Sequence, residues 1–220
     1  MAGLIFWDVD TQYDFMHADG KLYVPDAEAI IPNLAALTAH AHEQGIRIVA
    51  SADDHLPDHE EISEDPDFEN SFPPHCLHGS PGQAKISETS LHDPLLIEPA
   101  PIDPVELRKR VREHEGDVLF NKHWFDVFTN PNVGPVLDEL DPNVIVVYGV
   151  ALDVCNRYAV EGLSARRPQT RLAVVTDATR AIVPDRGDAL LRRWKERGVA
   201  LIETSEVLGM SGAISGEPAT

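Results

Sequence analysis

Apolar residues fall along the chain in two alternating spacings. Short, mostly apolar runs at 4–7, 46–50, 118–120, 144–148, 172–175 and 199–202 are too short for core helices and read as buried strands. Between them, residues 27–43 place Ile30, Ile31, Leu34, Leu37 and Ala41 at helical spacing, with Gly45 as a stop. Residues 133–140, 153–166 and 188–197 read as further helices, the last stopped by Gly198. Strands that alternate with helices predict an α/β fold, a three-layer α/β/α sandwich around a mostly parallel sheet. Two stretches break the pattern. Residues 58–90 have no period and are rich in Pro, His, Asp and Glu, and a loop of that length in a compact domain is usually functional or disordered. Residues 87–115 are Pro-rich and charged and are read without an assigned role. The expected organisation is one domain over residues 1–208 and a Gly/Ser/Pro-rich flexible tail over 209–220.

Composition narrows the function classes. The 220 residues are 43% hydrophobic and 25% charged, enough for a full core and unlike a disordered chain. No apolar run approaches the ~18–20 residues of a membrane span. Asp and Glu number 37 against 18 Lys and Arg, a net charge of −19. That field repels phosphate backbones and anionic lipid, so neither nucleic acid nor membrane is an expected partner. The start has neither a basic segment nor a signal-type apolar segment, and the two cysteines, Cys76 and Cys155, are too few for a disulfide framework. A reduced, cytoplasmic protein is expected. Association into a homo-oligomer is left open.

Polar residues gather just after the strand runs: Asp10, Asp53, His55, Lys122 and Cys155. In parallel sheets ligands bind outside the carboxyl ends of the strands, so the fold collects these five on one edge. Cys155 sits at the start of a helix, where the dipole is expected to lower its pKa and free N–H groups can hold an oxyanion. Asp10 can take the thiol proton and pass it to a leaving amine, and Lys122 can stabilise the thiolate. Asp53 and His55, two residues apart after a strand, share a face, and His59, Glu64 and His75 follow. One carboxylate and two imidazoles make a catalytic divalent-metal pattern, open to Zn, Fe or Mn. Each residue alone also fits a plain structural role.

The motifs taken together resemble the isochorismatase-like cysteine hydrolases, and within them the nicotinamidases and pyrazinamidases. The segment from Asp10 through Gln12 and Asp14 to Phe15 resembles D-x-Q-x-D-F. Asp53-Asp54-His55-Leu56-Pro57-Asp58-His59 resembles the D-W-H-P-x-x-H metal segment, with Asp54 in place of Trp. The stretch Phe72-Pro73-Pro74-His75-Cys76 resembles W-P-x-H-C, and Gly149 to Cys155 resembles G-x-A-T-D-x-C with Leu152 in place of Thr. The resemblance implies a catalytic triad of Asp10, Lys122 and Cys155. It implies metal ligands at Asp53, His55 and His75, with Glu64 matching an additional ligand of some members. It also implies a cis peptide between Val150 and Ala151, and an oxyanion hole at the N–H groups of Ala151 and Cys155. Cys76 reads as structural, and Phe15, Phe72 and Trp124 are the candidate walls for a flat ring. The implied activity is deamidation of nicotinamide through a thioester, with a divalent metal as cofactor. A sister hydrolase of another small amide, carbamoyl or ureido compound, and a silent binding or regulatory homologue, are the alternatives. After Lys122 the residues 126–130 depart from the family's usual segment, which bears on the substrate wall.

Overall fold

Seven strands form one sheet in the computed structural model, which describes residues 3–209. They are β1 (Leu4–Val9), β2 (Arg47–Asp53), β3 (Leu95–Ile97), β4 (Val118–Lys122), β5 (Val144–Val150), β6 (Arg171–Arg180) and β7 (Ala200–Ile202). Their spatial order is β3-β4-β2-β1-β5-β6-β7, and every pairing is parallel. The helices are α1 (Tyr13–Met16), α2 (Ile31–Gln44), α3 (Pro104–Glu113), α4 (Val133–Leu140), α5 (Cys155–Arg166), α6 (Pro184–Glu196) and α7 (Thr204–Gly209). No helix among the described residues is long and apolar enough to cross a membrane. The tail expected to be flexible lies, from residue 210 on, outside the described residues.

Period-two alternation along the strands builds the three layers. In β1, Ile5, Trp7 and Val9 pack into one core with Leu107 and Val111 of α3, Val133 and Val136 of α4, Leu163 of α5 and Trp194 of α6. Leu4 and Phe6 pack into a second core with Phe15, Leu34, Leu37 and Ala41 of α1 and α2, and Val207 of α7. Both faces of the central strands are therefore buried, which is why the runs at 4–7 and 144–148 read as continuous apolar stretches. Gly45 ends α2 in the left-handed region at φ 63°, as its position after the last apolar repeat predicted.

The stretch 87–115 contains elements that periodicity did not reveal. It holds β3, an edge strand of three residues, and α3, which buries only Leu107 and Val111. Two apolar positions give little amphipathic signal, but the start of α3 was encoded. Asp103 caps the N–H groups of Val105 and Glu106, with Pro104 in the first turn. Strand β6 runs on to Arg180, beyond the expected end at Val175, and α6 starts at Pro184 rather than Asp188.

Neighbouring β1 connects onward to β2 on one side, while β5 lies on its other side. The chain thus changes direction across the sheet between β1 and β5, and the crevice beyond their carboxyl ends is the expected ligand position.

Candidate active site

Parallel register brings the charged residues together. Asp53 ends β2 directly opposite Lys122, which ends β4. Their side chains share a face, and the Lys122 ammonium donates to the Asp53 carboxylate. Asp10 follows β1, and its Oδ2 lies 3.0 Å from Lys122 Nζ, while Oδ1 accepts a 2.6 Å hydrogen bond from Ser51 Oγ. Cys155, the first residue of α5, brings Sγ to 3.7 Å from Lys122 Nζ. Asp10, Asp53 and Cys155 each offer an atom within 4.8 Å of the others. The Lys122 ammonium is seated between these three groups.

The turn before Cys155 is tightly held. Gly149 has φ 107°, and a Cβ there would stand 2.1 Å from Val9 O, so only glycine lets β5 pass β1 at this point. The Val150–Ala151 peptide is cis, as the family resemblance implied. Asp153 accepts from the N–H groups of Ile182 and Val183, and Asn156 donates to Gly149 O. The N–H of Leu152 goes to Arg180 O and those of Val154 and Asn156 to Ala151 O. No turn or cap bond among the described residues starts from the N–H of Ala151 or Cys155.

Burial sets the protonation states. It would lower the Lys122 pKa, but Asp10 and Asp53 outweigh it and hold the ammonium well above its usual value. Burial pushes Asp10 up, opposed by Lys122 and assisted by Asp53. Burial also pushes the Cys155 thiol well above the ordinary thiol value, against the pull of Lys122 and with the push of Asp10 and Asp53. The pull of Lys122 anticipated from sequence is outweighed, because the sulfur is desolvated beside two carboxylates. Cys76 is also pushed up by burial. Its Sγ faces Gly82 O at 3.8 Å, and its N–H donates to Asp14.

A second cluster adjoins this one. Asp53, His55, Glu61 and His75 are all buried, and each offers a ligand atom within 4.8 Å of the others. Both ring nitrogens of His55, Nε2 of His75 and Oε2 of Glu61 have no hydrogen-bond partner among the described residues. His75 Nδ1 lies 2.8 Å from Pro73 O, which turns Nε2 inward as a lone pair in the neutral ring. The unpartnered Nε2 atoms of His55 and His75 each stand 3.6–4.0 Å from the Asp53 and Glu61 carboxylates, an arrangement that fits a divalent cation, since such buried groups are otherwise costly. Burial would raise the Asp53 carboxyl, but Lys122 and the two imidazoles hold it well below the usual range. Glu61 is pushed up to about 8 by burial and by Asp53.

Glu61, not Glu64, completes this cluster. Phe72 N–H donates to Glu61 O and Ser63 N–H to Phe72 O, a short ladder that turns Glu61 inward and leaves Glu64 exposed. Spacing from Asp53 alone could not show that ladder. Of the expected ring walls, Phe15 and Phe72 line the pocket beside Cys155, together with Leu22, Val24, Val154 and Ile182. Trp124 does not. Phe125 takes that place, wedged against Tyr158 of α5, while Trp124 lines a separate open cleft with His59 and His123. Two further residues had no assigned role. Ser51 orients Asp10, and Gln12 clamps both the N–H and the C=O of Asp53, at 2.7 and 2.8 Å.

Residues 103–206 match the isochorismatase domain model. The sequence is 28% identical over 199 residues to the nicotinamidase/pyrazinamidase of Mycobacterium tuberculosis, covering 90% of this chain and 97% of that one. The fold is shared with the pyrazinamidase of Pyrococcus horikoshii, solved in complex with zinc, at 22% identity and TM-score 0.71 over 91% of this chain and 99% of that one. It is shared likewise with a nicotinamidase of Bacillus subtilis, at 18% identity and TM-score 0.71 over 91% and 99%.

Proposed function

We propose that this chain is a metal-containing cysteine amidohydrolase that deamidates nicotinamide to nicotinate and ammonia. The observation that carries this reading is Cys155 Sγ beside Lys122 and Asp10, with the four-ligand cluster one residue away through Asp53. Asp10 takes the Cys155 proton as sulfur attacks the carboxamide carbon. The oxyanion faces the N–H groups of Ala151 and Cys155. Asp10 then gives its proton to the departing ammonia, takes one from water to release the acid from the thioester, and returns it to sulfur. Lys122 stays charged throughout and keeps Asp10 and Asp53 from repelling one another. Asp53, His55, Glu61 and His75 would hold a divalent ion, which would supply Lewis-acid chemistry toward a ring nitrogen.

The pocket wall favours a small neutral ring. Its lining beside the ligands is Phe15, Leu22, Phe72, Phe125, Val154 and Ile182, and no Lys or Arg lines it among the described residues. An acidic ureido substrate would find no Lys or Arg side chain for its carboxylate there, which weighs against the sister activities.

The test is kcat/KM for ammonia release from nicotinamide and from benzamide on metal-loaded enzyme, and again on His55→Ala. The expected result is a preference for nicotinamide that collapses in the variant. Equal rates on both amides, or turnover of ureido compounds alone, would overturn the assignment.

A further inference from the structure

Asp10 occupies an unusual backbone position. Its φ is 48°, in the left-handed region that non-glycine residues rarely adopt. The carboxylate read here as the proton carrier therefore depends on whatever holds that turn. Ser51 and Lys122 hold the carboxylate itself, but the backbone on either side is held by other residues. Thr11 Oγ1 donates back across Asp10 to Asp8, 2.9 Å from Oδ1 and 3.2 Å from Oδ2. Lys85 Nζ lies 2.8 Å from Asp8 Oδ2 and 2.6 Å from Thr11 Oγ1, closing a three-membered knot. Thr89 Oγ1 stands 2.7 Å from Thr11 Oγ1. The main chain repeats the brace, since Gln12 pairs with Lys85 and Ile86 N–H donates to Thr11 O.

Every member of this knot is withdrawn from solvent. Asp8, Thr11 and Thr89 are fully buried, and the Lys85 side chain is only 10% exposed. A buried ion pair is a costly way to join two loops, and similar-sized apolar groups often serve stability as well. Its use here, directly beneath a catalytic turn, is explained by direction. Charge-assisted hydrogen bonds fix angles that apolar contacts do not. Lys85 lies in the aperiodic stretch 58–90, so this loop supplies both ligands for the metal cluster and the brace for Asp10.

We propose that Lys85, acting through Asp8 and Thr11, is a positioning residue that holds Asp10 in line with the Cys155 thiol. This rests on Asp10 being the group that accepts the thiol proton. It does not depend on which amide is the substrate.

The experiment compares Thr11→Val, Thr11→Ser and Lys85→Met in the metal-loaded enzyme. Two readouts are taken, corrected for folded fraction: steady-state ammonia release, and the rate at which iodoacetamide alkylates Cys155. Thr11→Val and Lys85→Met are expected to lose at least tenfold in kcat with KM within about twofold, and to shift the alkylation rate and its pH profile. Thr11→Ser, which keeps the hydroxyl, is expected to restore both to within about threefold. If Lys85→Met does not fold, Thr11→Val carries the test, because it leaves the ion pair intact. Retention of kcat and of the alkylation profile in Thr11→Val would overturn the proposal, as would failure of Thr11→Ser to rescue. Absence of nicotinamide turnover by the wild-type enzyme would refute the substrate assignment instead, and the alkylation comparison would still decide the role of Lys85.

Discussion

Replacing Lys122 by Met removes the one cation between two buried carboxylates. At 3.0 Å from Asp10, with an effective dielectric of about 20, each such attraction is worth roughly 5–6 kcal/mol before desolvation is subtracted. Breaking a buried pair by deleting one partner costs about 3–5 kcal/mol net, because the other charge is left without compensation. Set against a total stability of about 5–15 kcal/mol for a domain of ordinary size, Lys122→Met is expected to be folded but marginal. The double variant Lys122→Met/Asp10→Asn removes one of the stranded charges along with the cation. It should recover at least about 1 kcal/mol relative to the single variant and yet remain inactive. Urea unfolding of the three proteins under identical metal conditions gives the stabilities, and ammonia release gives the activities. A loss below about 1 kcal/mol in Lys122→Met, or a double variant no more stable than the single one, would refute the electrostatic account of the site.

Glu61→Gln should weaken divalent-metal binding at least tenfold, measured by equilibrium dialysis, whereas Glu64→Gln should leave it unchanged; the reverse would return the fourth ligand to Glu64. Chelator-treated protein should lose stability as pH rises from about 5 to about 8. Glu61 has a folded-state pKa raised to about 8, so the folded state keeps a proton that the unfolded chain releases above about 4.5. His75, whose folded pKa is also raised (burial opposes this, but Asp53 outweighs it), contributes in the same direction, as stability present below the ordinary imidazole value and lost above it. The loss should reach a few kcal/mol at about 1.4 kcal/mol per pKa unit, and Glu61→Gln should flatten it. A rise in stability over that range would contradict the assignment.

The sheet was legible because its strands are buried on both faces and leave continuous apolar runs, and Gly45 and Gly198 mark where α2 and α6 give way to the next strand. What was not legible had weak or absent period. Strand β3 has three residues and α3 buries two side chains, so their signal lay in the Asp103–Pro104 cap rather than in apolar spacing. At the site, the strand-end rule brought Asp10, Asp53, Lys122 and Cys155 together without knowledge of any contact. Residues carried by loops fared less well. Whether Glu61 or Glu64 points inward depends on the ladder with Phe72, and whether Trp124 or Phe125 meets the pocket depends on the turn after β4. The direction of the Cys155 pKa also escaped the sequence, because helix position is visible in a sequence while desolvation beside two carboxylates is not.

The central claim is that Cys155 is the nucleophile. Ammonia release by Cys155→Ala, with Cys76→Ala as the partner variant, tests it directly. Cys155→Ala should fold, since a small side chain replaces a small one, and should lose at least about 10⁴-fold in kcat/KM. Cys76→Ala should keep most of the activity. Turnover by Cys155→Ala at near wild-type rate would contradict the account.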